Sequence, residues 1–221
     1  MSANDLPVIV IGAGGHGQVL IEALQLLGRR ILSVTDSARE RLGDSLSGSM
    51  IEGSDELVLE HDPNHIELVN AVGSVAVPEI RRRIYNKFVA RGYHFATVVH
   101  PSAHVADSAV LAQGAQIMAG ATVQSRAIIG ANTIVNSSAS VDHDSTLGMH
   151  THIAPGVVLS GNVCVGQSCH IGTSASVIQA VEIGSYSFVA AGSVVTADLP
   201  RGSNVRGVPA KPFAVTGQSV T

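Results

Sequence analysis

Residues 135–147 read Val135-Asn136-Ser137-Ser138-Ala139-Ser140-Val141-Asp142-His143-Asp144-Ser145-Thr146-Leu147. An aliphatic side chain returns at every sixth position, and a small one sits four places after each. Followed outward, the beat runs without a slip from Val99, Val105, Leu111 and Ile117 to Val189 and Val195, and all seventeen positions are Val, Leu or Ile. The partner positions, from Ala103 and Ala109 to Ser187 and Ser193, are nearly all small. A period of six matches neither the 3.6 of a helix nor the plain alternation of a long strand. It matches short strands separated by turns, each strand sending one large residue inward. Three hexads then close a triangular coil of about 18 residues, and successive coils stack at the ~4.8 Å spacing of paired strands. Large aliphatics pile up along each wall, and the small residues let the chain turn at the corners.

The composition follows from this pattern. The 221 residues are 45% hydrophobic but only 3% aromatic, with no Trp. The core is therefore aliphatic. Charged residues make up 14%, too few for a disordered, charge-rich chain. The net charge of −4 argues against nucleic-acid binding. Between Val99 and Leu199 the only charged residues are Asp107, Arg126, Asp142, Asp144, Glu182 and Asp198, five acids against one base. A smooth, weakly charged three-sided rod is expected to bury its faces against copies of itself, most simply as a homotrimer. No apolar run is long enough for a membrane span, and no signal peptide is evident. Cys164 and Cys169 form neither a disulfide framework nor a zinc site and read as buried, reduced thiols in a cytoplasmic protein.

The first ninety-odd residues follow a different rule. Leu6 to Ile11 is a two-sided apolar run, as in a buried parallel strand. Gly12-Ala13-Gly14-Gly15-His16-Gly17 follows, and then a helical stripe of Val19, Leu20, Ala23, Leu24 and Leu27 that stops at Gly28. Ile31–Val34 reads as a second strand ending at Asp36, and Ile66–Val72 as a third ending at Gly73. Pro78 opens a helix with Ile80, Ile84 and Phe88 in register, and Tyr93–Val98 returns as a strand. Residues 40–64 read as irregular loop with at most one helical turn. The βαβ alternation implies a small parallel sheet. Gly12, Gly14 and Gly17 fit G-x-G-x-x-G, with Asp36 about 20 residues on, a device for placing a diphosphate at a helix N-terminus and a ribose on an acid. A dinucleotide, a sugar nucleotide or a purely structural tight turn could each use it.

A G-x-G-G-H-G strand–turn–helix unit joined to hexapeptide coils resembles the sugar-nucleotide acetyltransferases of bacterial glycan synthesis. The bacillosamine and perosamine N-acetyltransferases and the sialic acid O-acetyltransferases are the nearest types. The resemblance implies an α/β N-terminal domain with a small Rossmann-like parallel sheet (1–97), an all-β left-handed parallel β-helix (98–200) and a C-terminal tail (201–221). It places the nucleotide-linked amino sugar on Gly14, Gly15, His16, Asp36, Ser37 and Gly73, with Asn136 lining the acceptor pocket. It places acetyl-CoA on His152, Thr173 and Ala191. The terminal Gly207-Val208-Pro209-Ala210-Lys211 resembles the family's G-x-P-A-K, and Lys211, with Arg201 and Arg206, suits the coenzyme phosphates.

His143 stands apart from the other histidines because it lies between two acids in a nearly uncharged solenoid. A carboxylate beside an imidazole fixes its tautomer and stabilises the imidazolium. The family match makes His143 the general base and Asp144 the acid that orients it, with Asp142 in reserve. Gly161, one coil above, is a candidate N–H donor to the oxyanion. His152 and His170, 18 residues apart, read as a surface ladder with too few ligands for a metal. The expected reaction is direct N-acetylation of a nucleotide-linked 4-amino sugar. The alternatives are O-acetylation, a nucleotide-binding protein with the β-helix as a trimer stalk, and a carbonic-anhydrase-type solenoid.

Overall fold

The computed structural model describes residues 6–74 and 78–213. The chain begins with β1 (Val8–Ile11), α1 (Gly15–Leu26), β2 (Ile31–Thr35), β3 (Ser45–Leu46), β4 (Ser49–Gly53), β5 (Glu67–Asn70) and α2 (Glu79–Val89). These strands form one sheet in the order β3-β4-β2-β1-β5. Its central pairs are parallel, and the β3–β4 hairpin is antiparallel. Two glycines of the first turn are fixed by packing. Gly12 has φ +105° and abuts Val72, and a Cβ on Gly17 would strike the Gly12 carbonyl.

The structure departs from the sequence reading in four places. Residues 40–64 are not loop: β3 and β4 extend the sheet, and Asp55–Glu60 forms a 3-10 helix. The buried face of α1 is Gly17, Leu20, Ile21, Ala23 and Leu24, while Val19 and Leu27 are exposed. In α2, Arg81, Tyr85 and Phe88 point inward and Ile80 outward, so the predicted apolar stripe is displaced by one position. The Tyr93–Val98 strand reduces to a single bridge from Phe95 to Leu68 before the coils begin.

From β6 (Val98–Val99) to β22 (Val194–Val195) the chain forms seventeen two-residue strands. Each ends on the Val, Leu or Ile of one hexad. Strands pair in parallel with those 18 residues on, as His152 does with His170, and three sheets result. The inward residues, Ile117, Val123, Ile129 and their successors, form one aliphatic core with Ala115, Ala121 and Ala127 between them. The fold is thus the expected α/β domain followed by a parallel β-helix.

Every sixth residue from Gly114 to Gly192 has positive φ, and most of these are not glycine: Arg126, Asn132, Ser138, Asp144, His150 and Asn162 among them. Each costs roughly 1 kcal/mol in isolation, and the stacked ladders hold them there. The sheet containing Gln116, Ile134, His152 and His170 faces the N-terminal unit, and Met118 and Ile134 share a core with Val8, Leu20 and Leu24. No helix among the described residues is long and apolar enough to cross a membrane.

Candidate active site

A cleft of about 570 Å³ opens between the first turn and the β-helix. Gly14, Gly15, His16, Asp36, Ser37, Gly73 and Asn136 all line it, so the predicted substrate residues converge on one cavity. Asp55, Ser74, Ile80 and Ile84 also line it and were missed by the sequence reading. Gly14 and Gly15 differ from Gly12 and Gly17 in their surroundings. A Cβ on either would meet nothing within 4 Å. Packing does not require glycine there; it leaves the backbone bare towards the cleft.

Asp36 is largely committed to its own backbone. Its two oxygens accept the N–H groups of Ala13 (2.7 Å) and Ala38 (2.9 Å), and Arg41 lies 3.6 Å away. Asp55, on the 3-10 helix, accepts the Thr35 hydroxyl at 3.1 Å, and burial raises its carboxyl above the usual range.

The floor of the cleft is a polar seam. His16 Nε2 meets Gln116 Oε1 at 2.9 Å, and the Gln116 amide donates to the Asn70 carbonyl. Asn70 in turn donates to Asn132, whose amide meets His150. Arg81 is fully buried without an acid partner. It donates to the carbonyls of Asn70, Val72 and Asn132, and burial pushes its pKa down to about 9. Burial, reinforced by Arg81, lowers His16 and His150 to about 4.

A second groove of about 360 Å³ adjoins the first and shares Ser74 and His152 with it. Thr173 and Ala191 line it, with His170, Phe188, Ala154 and Pro155. His152 stands at the junction of the two cavities. Its Nε2 meets the Asn136 amide at 3.1 Å and its Nδ1 meets Ser74. Burial, with His170 next, lowers it to about 3. His152 and His170 are therefore not a surface ladder. They are buried and neutral, with their rings edge-to-face at 5.0 Å. No cluster of three metal-ligating side chains occurs among the described residues.

His143 lines neither cavity. It sits in the turn between β13 (Ser140–Val141) and β14 (Thr146–Leu147), at a corner away from the N-terminal unit. The left-handed φ of Asp144 (61°) folds its carboxylate back, so that Oδ2 lies 2.7 Å from His143 Nδ1. That contact leaves Nε2 free to act as a base. Asp142 instead accepts the His143 backbone N–H at 2.7 Å. Arg126, one coil below, binds Asp144 through two hydrogen bonds of 2.6 and 2.8 Å, and with His143 it holds that carboxyl down to about 2. Gly161 lies directly over the ring, and a Cβ there would fall 2.6 Å from His143 Cε1 and Nε2. Its N–H takes no acceptor among the described residues.

The remaining sites separate. Cys164 is exposed, contrary to the reading of two buried thiols, whereas Cys169 is buried and raised to about 11. Lys211 is exposed on the terminal hairpin, opposite Arg206. The tail beyond 213 lies outside the described residues.

Comparison with known proteins follows the same lines. A family model described as the PglD N-terminal domain matches residues 7–88. The acetyltransferase domain of PglB from Neisseria gonorrhoeae FA1090, solved with acetyl coenzyme A, is 37% identical over 95% of this chain and 100% of its own, with a TM-score of 0.87. Perosamine N-acetyltransferase from Caulobacter crescentus, solved with CoA and GDP-perosamine, is 33% identical over 95% of this chain and 97% of its own, with a TM-score of 0.88. WeeI from Acinetobacter baumannii AYE shares the fold at 22% identity, covering 94% of this chain and 100% of its own, with a TM-score of 0.84. Among curated protein sequences none matches significantly.

Proposed function

This chain belongs to the hexapeptide-repeat sugar-nucleotide acetyltransferases and is an acyltransferase; on that premise we propose that it N-acetylates a nucleotide-linked 4-amino sugar with acetyl-CoA, in the synthesis of a bacterial surface glycan. One observation carries the reading: the two cavities meet at His152. The larger has the bare glycine turn, a helix N-terminus and Asp36, which suit a diphosphate and a ribose. The smaller is a groove whose lining mixes Ala154, Pro155, Phe188 and Ala191 with Ser74, Thr173 and two neutral histidines, which suits a pantetheine arm. An amine placed near Asn136 would then lie beside a thioester placed near His152.

In the reaction, His143 Nε2 takes a proton from the amine as its nitrogen attacks the thioester carbon. The Gly161 N–H donates to the oxygen as it gains charge. The intermediate collapses with loss of the thiolate, which takes the proton back from His143, giving amide, free thiol and the regenerated base. Proton removal of this kind is worth about 10²–10⁴ in rate. No covalent enzyme intermediate is required. In support, the Caulobacter complexes with CoA and GDP-perosamine include variants with a histidine replaced by Asn or Ala.

Because His143 lines neither cavity of its own chain, the site needs a second copy. Each copy would supply a sugar cleft with half of the coenzyme groove and receive the His143–Gly161 corner of its neighbour. The faces flanking that corner expose Val110, Ile128 and Val158, as surfaces buried between copies would. We propose threefold closure, as the simplest way for three copies of a three-sided rod to share their faces.

The test is to incubate the protein with acetyl-CoA and a panel of UDP- and GDP-linked 4-amino and 4-hydroxy sugars, and to follow thiol release. Turnover confined to an amino sugar is expected. Turnover with the hydroxyl sugars alone, or with none, would overturn the reading.

A further inference from the structure

Arg126 is the single base of the solenoid, and it is spent on the acid that faces His143. Its Nε donates to Asp144 Oδ1 at 2.6 Å and its Nη2 to Oδ2 at 2.8 Å, a two-pronged clamp that lysine cannot reproduce. Oδ2 is also the oxygen that His143 Nδ1 meets at 2.7 Å. Two bonds of 2.7 and 2.8 Å through one shared oxygen place the guanidinium within about 5.5 Å of the imidazole. Arg126 holds this position with φ 60°, in the left-handed region that a side chain such as arginine seldom occupies.

We infer that Arg126 is a positioning residue for the reaction: its two-pronged hold fixes the Asp144 carboxylate against His143 Nδ1 and so sets the direction in which Nε2 points.

The inference rests on His143 being the base. Asp142 does not compete for this role, since it accepts the His143 backbone N–H, and Gly161 and Asn162 of the coil above are uncharged. The guanidinium also holds Asp144 well into its ionised range, so the acid orients the ring without competing for its proton.

The experiment compares kcat and KM of wild type, R126G and R126K, with H143A as reference. Glycine suits φ 60°, so R126G keeps the backbone and is expected to retain the wild-type melting temperature or exceed it. R126G is expected to lower kcat several-fold while KM for both substrates stays near wild type, because Arg126 acts on the base and touches neither ligand. R126K, which keeps the charge without the fork, is expected to recover only part of that loss. A wild-type kcat in a folded R126G would overturn the inference. If H143A retains the wild-type rate, the general-base reading itself has failed, and the two failures are separable.

Discussion

Replacing Gly161 by alanine adds one methyl group at the point where the structure is least able to accept it without touching the base. Gly161 has ordinary φ, so alanine costs nothing in backbone conformation. The new Cβ would lie 2.6 Å from His143 Cε1 and Nε2, against an ordinary contact of 3.4 Å or more. The ring must therefore retreat by about 0.8 Å, the difference between those two distances. It has room to do so, since the His143 side chain is 57% exposed, and the loss in stability should stay below ~1 kcal/mol. A misplacement of about 1 Å at a reacting group costs on the order of 10² in rate. G161A should therefore show a melting temperature within a few degrees of wild type and a kcat/KM about 10²-fold lower. Gly148 is the control, because a Cβ there strikes the Gly166–Gln167 backbone and cannot be relieved by a side chain. G148A should lose stability first. A G161A enzyme with the wild-type rate would refute the placement of His143 Nε2 as the working base.

Other outcomes follow from the same geometry. G15V should fold normally, since a Cβ at this position meets no atom within 4 Å, yet lose sugar-nucleotide affinity while keeping acetyl-CoA affinity by calorimetry; equal loss of both would break the division of ligands between the cavities. Mixing inactive G15V with inactive H143A should restore part of the activity if one copy supplies the cleft and another the base, and no recovery in verified mixed oligomers would place the whole site in one chain. His16, His150, His152 and His170 sit well below 6.5, so the unfolded chain binds more protons than the folded one between about 6.5 and 4. Stability is thus retained above pH 6.5 and falls as pH drops through that window, by up to ~1.4 kcal/mol per pH unit for each histidine; a urea midpoint flat from pH 6.5 to 4.5 would contradict their burial.

The β-helix was legible because one physical requirement, an aliphatic residue on each wall, repeats in linear sequence. The corners were not, because the left-handed position is filled by Arg126, Asn132, Asp144 and Tyr186 as readily as by glycine. The glycine turn identified its cavity because Gly14 and Gly15 have no packing reason to be glycine. The polar seam was hidden: Gln116, Asn132, His150 and Arg81 are separated in sequence and acquire partners only when the sheet meets the N-terminal unit. Arg81 in particular reads as the polar side of an amphipathic helix. Residues 40–64 resisted reading because β3 and β4 are short and polar, and β4 is fixed by pairing with β2.

The most direct measurement is acetyl transfer by H143A, with the affinity for each ligand determined on the same protein. Both affinities should hold within a few-fold while turnover falls by about 10²–10⁴. Turnover close to wild type in a folded variant that binds both ligands would contradict the role of His143 as base.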